Sequence, residues 1–193
     1  MRVIAGHAHG RKLKAPRGLK TRPASARARQ SIFSRLETVL DFEALRVLDL
    51  FAGSGSLAIE ALSRGAAHAT FVDSSRPATR TIRDNLGALG LGERARVITA
   101  DVLRALSALA LENERFGLVF VDAPYAHDIS ARVLDGLAEG GLVEPGGWVV
   151  VRQSRRAPAP PEGPAEFPQF KVAVIGDHRI VFYRRPDNGA EDN

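Results

Sequence analysis

Arg46-Val47-Leu48-Asp49-Leu50-Phe51-Ala52-Gly53-Ser54-Gly55-Ser56 reads as a buried β-strand that runs into a glycine turn. The apolar period that follows, Leu57, Ile59, Ala61 and Leu62, reads as a helix. Glycine lets backbone approach a ligand closely, and open α/β sheets bind their ligands at the carboxyl ends of parallel strands. The stretch therefore predicts both an α/β fold and a cofactor loop.

The same pattern repeats outward along the chain. Ala69-Thr70-Phe71-Val72 delivers Asp73, Arg96-Val97-Ile98-Thr99-Ala100 delivers Asp101, and Val119-Phe120-Val121 delivers Asp122. Helices are expected at about 56–64, 76–89, 102–112 and 129–139, so that strand and helix alternate from Arg46 to Ser154 as in parallel βαβ units. Gly146-Gly147 turns into a fifth strand, Trp148 to Val151. Five of the eleven prolines fall in residues 158–168, an extended loop, and Phe170 to Ile175 with Arg179 to Tyr183 form a hairpin that closes the sheet edge. Residues 41–186 make the α/β domain and 187–193 a flexible tail.

Gly53, Gly55 and Ala58 also satisfy the dinucleotide fingerprint, with Asp73 twenty residues beyond the first glycine. Two features favour S-adenosylmethionine over a nicotinamide. Asp49 adds negative charge just before the loop, which suits a sulfonium and an amino group better than a pyrophosphate. In addition, no separate substrate domain remains to supply a hydride-transfer site. The cofactor set is Asp49, Phe51, Ala52, Gly53, Ser54, Gly55, Asp73 and Asp101, where Asp101 is equally suited to cap the helix that begins at Val102.

The fourth strand ends in Asp122-Ala123-Pro124-Tyr125. An exocyclic amine on a nucleobase is a poor nucleophile because its lone pair is delocalised into the ring. A carboxylate acceptor such as Asp122, helped by the Ala123 carbonyl, draws on its N–H bonds, and a ring such as Tyr125 stacks on the base. A polar turn before proline would carry the same four residues, so the surroundings decide the reading.

At 193 residues the chain fits one main domain with an adequate core, and without cysteine it has neither disulfide nor thiolate metal site. No histidine spacing suggests a metal, and no apolar run is long enough for a signal peptide or a membrane span, so a cytoplasmic monomer is expected. The formal charge of +5 is unevenly distributed. Residues 1–36 hold ten cations and no acid, leaving seventeen cations and all twenty-two acids beyond them. A basic amino-terminal extension, residues 1–40, is the footprint expected of a protein that meets a nucleic-acid backbone. It reads as a short hairpin, Val3-Ile4-Ala5 against Arg11 to Lys14, and then a helix capped by Ser25 with an apolar face of Ile32, Phe33, Leu36, Val39 and Leu40. The candidate RNA contacts are Arg2, Arg11, Lys12, Lys14, Arg22, Arg27 and Arg29.

With these segments in view the chain resembles the small-subunit ribosomal RNA guanine-N2 methyltransferases of the RsmD type. The resemblance rests on Gly10-Arg11 with Leu13, on Thr21-Arg22-Pro23 followed by Arg27, Arg29 and Phe33, on Leu48 to Gly55, and on Glu60-Ala61-Leu62-Ser63-Arg64-Gly65-Ala66. It implies a class I S-adenosylmethionine-dependent methyltransferase fold, a mostly parallel seven-stranded sheet with the last pair reversed. It also implies Thr21 and Pro23 in the cofactor set, and methylation of one guanine N2 in 16S rRNA, within a small-subunit particle. The chain departs from the family pattern at Ala123, where a second proline is usual, and at Ala24, Ala26 and Gln30, where polar or acidic groups are usual. Two other readings use the same residues: a DNA adenine-N6 methyltransferase, and a non-catalytic RNA-binding protein on a methyltransferase fold.

Overall fold

The alternation read from the sequence folds into one twisted sheet with helices on both faces. The computed structural model describes residues 1–16, 26–123, 127–158 and 161–187, with His127 and Asp128 described by backbone only. In chain order the elements are α1 (Ala26–Leu36), β1 (Arg46–Leu50), α2 (Ser56–Ser63), β2 (His68–Asp73), α3 (Arg76–Leu89), β3 (Ala95–Thr99), α4 (Val102–Leu111), β4 (Phe116–Val121), α5 (His127–Glu139), β5 (Val143–Ser154), β6 (Gln169–Ile175) and β7 (His178–Arg184). The strand order is β3-β2-β1-β4-β5-β7-β6. Strands β1 to β5 pair in parallel wherever they are neighbours.

The closing edge of the sheet is the expected antiparallel hairpin, β6 against β7. Only β7 is reversed: it runs antiparallel to both β5 and β6, so β6 runs with the parallel strands. The hairpin does not simply extend the edge, because its second strand slots inside. Burial explains the choice. Ile180, Val181, Phe182 and Tyr183 of β7 are all buried, whereas β6 leaves Phe170, Val172 and Val174 exposed. The strand that is apolar on both faces takes the interior position.

Side chains alternate across the sheet and feed two cores. Val47, Leu118, Phe120, Trp148, Val150 and Phe182 meet Ile32, Phe33 and Leu36 of α1 with residues of α2 and α3. On the other face Leu48, Leu50, Val119, Val121, Val149 and Val151 meet Leu106 and Leu109 of α4 with Val133 and Leu137 of α5. The proline-rich segment covers part of that second face, where Tyr183 donates from its hydroxyl to the Pro161 carbonyl at 2.8 Å. Helix α1 stops at Leu36, so Val39 lies beyond its buried face and is 49% exposed, contrary to the predicted apolar stripe. Ser25, the predicted cap, and residues 188–193 of the predicted tail lie outside the described residues.

The amino-terminal residues form the expected hairpin, with an antiparallel bridge between Arg2 and Lys12 and Val3 donating to the Arg11 carbonyl at 3.0 Å. They are anchored to the α/β body. Val3, Ala8 and Leu13 are buried in the first core. Glu60 of α2, itself buried, accepts from the backbone N–H groups of Ile4 at 2.7 Å and Ala5 at 2.9 Å. Ser63 of the same helix accepts from Ala8 N–H at 3.0 Å and donates to the Ala5 carbonyl at 2.6 Å. Gly6 (φ +76°) sits so close that a β-carbon there would lie 1.8 Å from the Ser63 carbonyl oxygen. Helix α2 is thus the seat of the hairpin.

Candidate active site

The glycine turn is held by the carboxylate that ends the neighbouring strand. Asp73, the last residue of β2, accepts from Gly53 N–H at 2.8 Å through one oxygen and from Ser75 N–H at 2.8 Å through the other. Each oxygen keeps a further lone pair, which suits it to accept from ribose hydroxyls. Phe51 leaves β1 at φ +59° and Gly53 and Gly55 also have positive φ, so the chain turns sharply into α2. Positive φ is rare for an aromatic residue, and such strain clusters at ligand sites. A β-carbon on Gly55 would meet Phe71 at 3.1 Å and Ile82 at 3.2 Å, whereas one on Gly53 would meet nothing nearer than 3.9 Å. Gly55 therefore lets the loop pack on the core, and space opens beside Gly53. Ala52 and Ser54 complete the turn and are buried.

Asp49 lies within β1 and is 1% exposed. One oxygen accepts from Ala58 N–H at 3.2 Å, at the start of α2; the other has no hydrogen-bond partner among the described residues. Burial pushes its carboxyl well above the usual range, the Ala58 bond opposes this, and the charges of Asp122 and Asp73 add to the rise. A cationic ligand would relieve that site, and a pyrophosphate would worsen it. The buried unpartnered oxygen, the carboxylate cluster and the open side of Gly53 fit an adenosyl sulfonium cofactor. Asp101 stands apart from this cluster in its role: it is exposed and caps α4 by accepting from Arg104 N–H at 3.2 Å.

Asp122 follows β4 directly, and its N–H donates to the Leu50 carbonyl at 3.3 Å. This places it between β1 and β4, where the strand order reverses and open α/β sheets form their ligand crevice. Ala123 is half-buried beside it. Pro124, Tyr125, Thr21, Arg22 and Pro23 lie outside the described residues. Among the described residues no cluster of His, Cys, Asp or Glu could hold a metal ion, and no helix is long and apolar enough to cross a membrane.

Three polar residues of this region carry no role in the sequence reading. Arg152, near the end of β5, grips Asp122 with both prongs of its guanidinium at 2.7 Å. Sheet pairing brings them together: Val121 pairs with Val151, so the charged residues that follow each are neighbours. Asn85 of α3 is buried, donates to the Ser54 carbonyl at 3.0 Å and to the Lys14 carbonyl at 3.1 Å, and accepts from the Lys14 backbone N–H at 2.8 Å. Glu60, described above, is the third. Nothing local in the sequence marks Asn85, and for Glu60 the only local cue is the i,i+4 pair with Arg64, because their backbone partners in the hairpin lie far along the chain.

Of the candidate RNA contacts, Arg2, Arg11, Lys12, Lys14 and Arg27 are exposed. Arg2 donates to the Gly10 carbonyl, Arg11 to the Ala88 carbonyl, and Lys14 pairs loosely with Asp84 at 3.4 Å. Arg29 is a correction. It is 1% exposed, and its guanidinium donates to the Arg2 carbonyl at 2.7 Å and to the Met1 sulfur at 3.1 Å. Burial draws its pKa down, opposed by the charge of Glu60. Helical spacing is the cause: Arg29 stands three, four and seven residues before Ile32, Phe33 and Leu36, on the inner face. It pins the hairpin to α1 rather than meeting a phosphate.

The chain is similar to known proteins over nearly its whole length. The family model described as conserved hypothetical protein 95 matches residues 1–184. The Bacillus subtilis (strain 168) protein named "Putative rRNA methyltransferase YlbH" is 41% identical over 185 residues, covering 96% of this chain and 99% of that protein. Ribosomal RNA small subunit methyltransferase D of Escherichia coli (strain K12) is 32% identical over 192 residues, covering 100% of this chain and 93% of its own. A solved structure of a hypothetical protein from Thermus thermophilus superposes with a TM-score of 0.80 at 32% identity, covering 94% of this chain and 98% of that one. With matches of this extent at both the sequence and the fold level, the chain belongs to the RsmD-type family.

Proposed function

We propose that this protein transfers a methyl group from S-adenosylmethionine to the exocyclic N2 amine of a guanine in small-subunit ribosomal RNA. The observation that carries the reading is the position of Asp122, a carboxylate at the switch point of the sheet, beside a glycine turn tied down by Asp73. When bound, the cofactor supplies an electrophilic methyl on a positively charged sulfur. The chain's own part is orientation and charge placement. Asp49 and Asp73 give the crevice its negative character, the charge of Asp122 being balanced by Arg152; the glycine turn leaves room for the adenosyl group, and Asp73 would accept from the ribose. Asp122 accepts an N–H of the target amine, with the Ala123 carbonyl as its second acceptor and Tyr125 stacking on the base. A guanine in a stem must first be splayed out of its stack to reach these groups.

The basic segment, residues 1–40, holds the RNA. Arg2 and Lys12, opposite each other on the hairpin, and Arg27 at the start of α1 present exposed cations to the phosphate backbone, with Arg11 and Lys14 alongside; Arg22 is assigned the same role from its charge in the sequence. The enzyme works as a cytoplasmic monomer on a small-subunit particle. Tritiated methyl transfer to small-subunit particles from a strain lacking this modification, followed by mapping of the labelled base, tests the reading. Label on the N2 amine of a single guanine is expected. Label on an adenine, or none at all, would overturn it.

A further inference from the structure

The crevice contains a charge pair that orientation of an amine does not by itself require. Arg152 Nε donates to one oxygen of Asp122 and a terminal nitrogen of Arg152 donates to the other, both at 2.7 Å. The side chains are 10% and 19% exposed. The guanidinium is in turn braced from the far side, its remaining nitrogen lying 3.3 Å and 3.5 Å from the two ring nitrogens of His178 on β7. Arg152 therefore stands on a strand paired on both sides, with β4 and with β7. Asp122, by contrast, is the first residue beyond its strand, and the next residue, Ala123, lacks the ring that would fix its own φ.

We propose that Arg152 is a positioning residue for methyl transfer: it sets the plane of the Asp122 carboxylate from the rigid β5 strand, doing by side-chain contact what the backbone after Asp122 does not. The inference rests on the reading of Asp122 as the acceptor for the target amine. A carboxylate offers about four lone-pair sites and a forked guanidinium takes one from each oxygen, so acceptor capacity remains for an incoming amine without breaking the pair. The planar fork fixes two oxygens at once. A lysine at the same place would supply charge without that constraint.

The test uses the full chain, small-subunit particles lacking the modification, and S-adenosylmethionine. Arg152→Ala and Arg152→Gln are made alone and each combined with Asp122→Ala; Gln keeps length and one donor group should Ala fail to fold. Each single Arg152 variant is expected to lower kcat at least tenfold, with KM for particles and the cofactor dissociation constant within about twofold of wild type. In the Asp122→Ala background the same changes should cost nothing further, because a residue that acts through Asp122 has no effect once Asp122 is gone. A crystal structure of Arg152→Gln should show Asp122 in more than one rotamer, a readout independent of activity. Additive losses in the double variants would mean that Arg152 acts directly on RNA, and a raised kcat would mean that it blocks the acceptor; either overturns the proposal. So does an Asp122 that keeps its single rotamer when Arg152 is replaced. Full activity of Asp122→Ala alone would instead sink the reading of Asp122, an outcome distinguishable from an inactive Asp122→Ala beside a fully active Arg152→Gln.

Discussion

The side-chain amide of Asn85 ties the cofactor turn to the basic hairpin: it donates to the Ser54 carbonyl at 3.0 Å while pairing, peptide-like, with the N–H and carbonyl of Lys14. One buried residue of α3 thus connects the turn that fits the adenosyl group with the strand that carries Arg11, Lys12 and Lys14.

Replacing Asn85 with Ala leaves two carbonyls and one N–H without their partner, and truncation of a buried hydrogen-bonding group costs about 1–3 kcal/mol. Urea unfolding should show a loss in that range or somewhat above it. Asn85→Asp should be worse at neutral pH, because it sets a carboxylate against the Ser54 and Lys14 carbonyls that the amide now serves. An unchanged unfolding midpoint in both variants would contradict the assigned contacts.

Asp73→Ala removes the acceptor of two backbone N–H groups, Gly53 and Ser75. Cofactor affinity, measured by calorimetry, should weaken by roughly 1–3 kcal/mol, combining a loosened turn with the lost ribose acceptor. Asp101→Ala, whose carboxylate caps α4, should instead lower thermal stability by about 1 kcal/mol, the usual worth of such a cap, with little change in cofactor binding.

Asp49 predicts a pH dependence of definite sign. Its carboxyl is raised in the folded state, first by burial, so the folded protein holds this proton more tightly than the unfolded chain does. Its contribution to stability is complete below the ordinary aspartate range and is lost as pH rises toward the folded value. Asp49→Asn has no proton to lose, so its melting temperature should gain on wild type steadily from about pH 4 upward. The same variant should bind the cationic cofactor more weakly at pH 7. A difference in melting temperature that stays flat across this range would refute the titration.

Neutralising Arg2 and Lys12 together, as Gln, should flatten the salt dependence of RNA binding by about one to two counterions and leave cofactor affinity alone. Arg29→Gln behaves differently. It should leave the salt slope unchanged and lower stability, because its guanidinium holds the Arg2 carbonyl inside the protein.

What the sequence makes legible is what short-range periodicity encodes. The strand at Arg46–Leu50, the helix at Arg76–Leu89 and the carboxylates at the ends of β2 and β4 follow from patterns a few residues long. Arg29 shows the limit of reading charge without geometry, since its position on the apolar face of α1 overrides the usual preference of arginine for solvent. The Arg152 clamp and the insertion of β7 both depend on which strands become neighbours, a matter settled by pairing across the sheet rather than by any local signal. Asn85 and Glu60 are the extreme case. Their hairpin partners lie 71 and 56 residues away, and neither a lone amide nor a Glu60–Arg64 pair on a helix gives a hint of them.

The place of β7 also orders the assembly of the sheet. Strand β6 is made before β7 but reaches the sheet only through it, because β5 pairs with β7 and not with β6. Until β7 is in place, Phe170, Val172 and Val174 belong to a strand with no place to dock. A chain that stops before Ile180 would keep both the open flank of β5 and this apolar strand on display. Arrival of β7 covers the flank of β5 and gives β6 its partner, so the step that finishes the sheet also removes the unpaired backbone edges by which a chaperone or protease would recognise an unfinished copy.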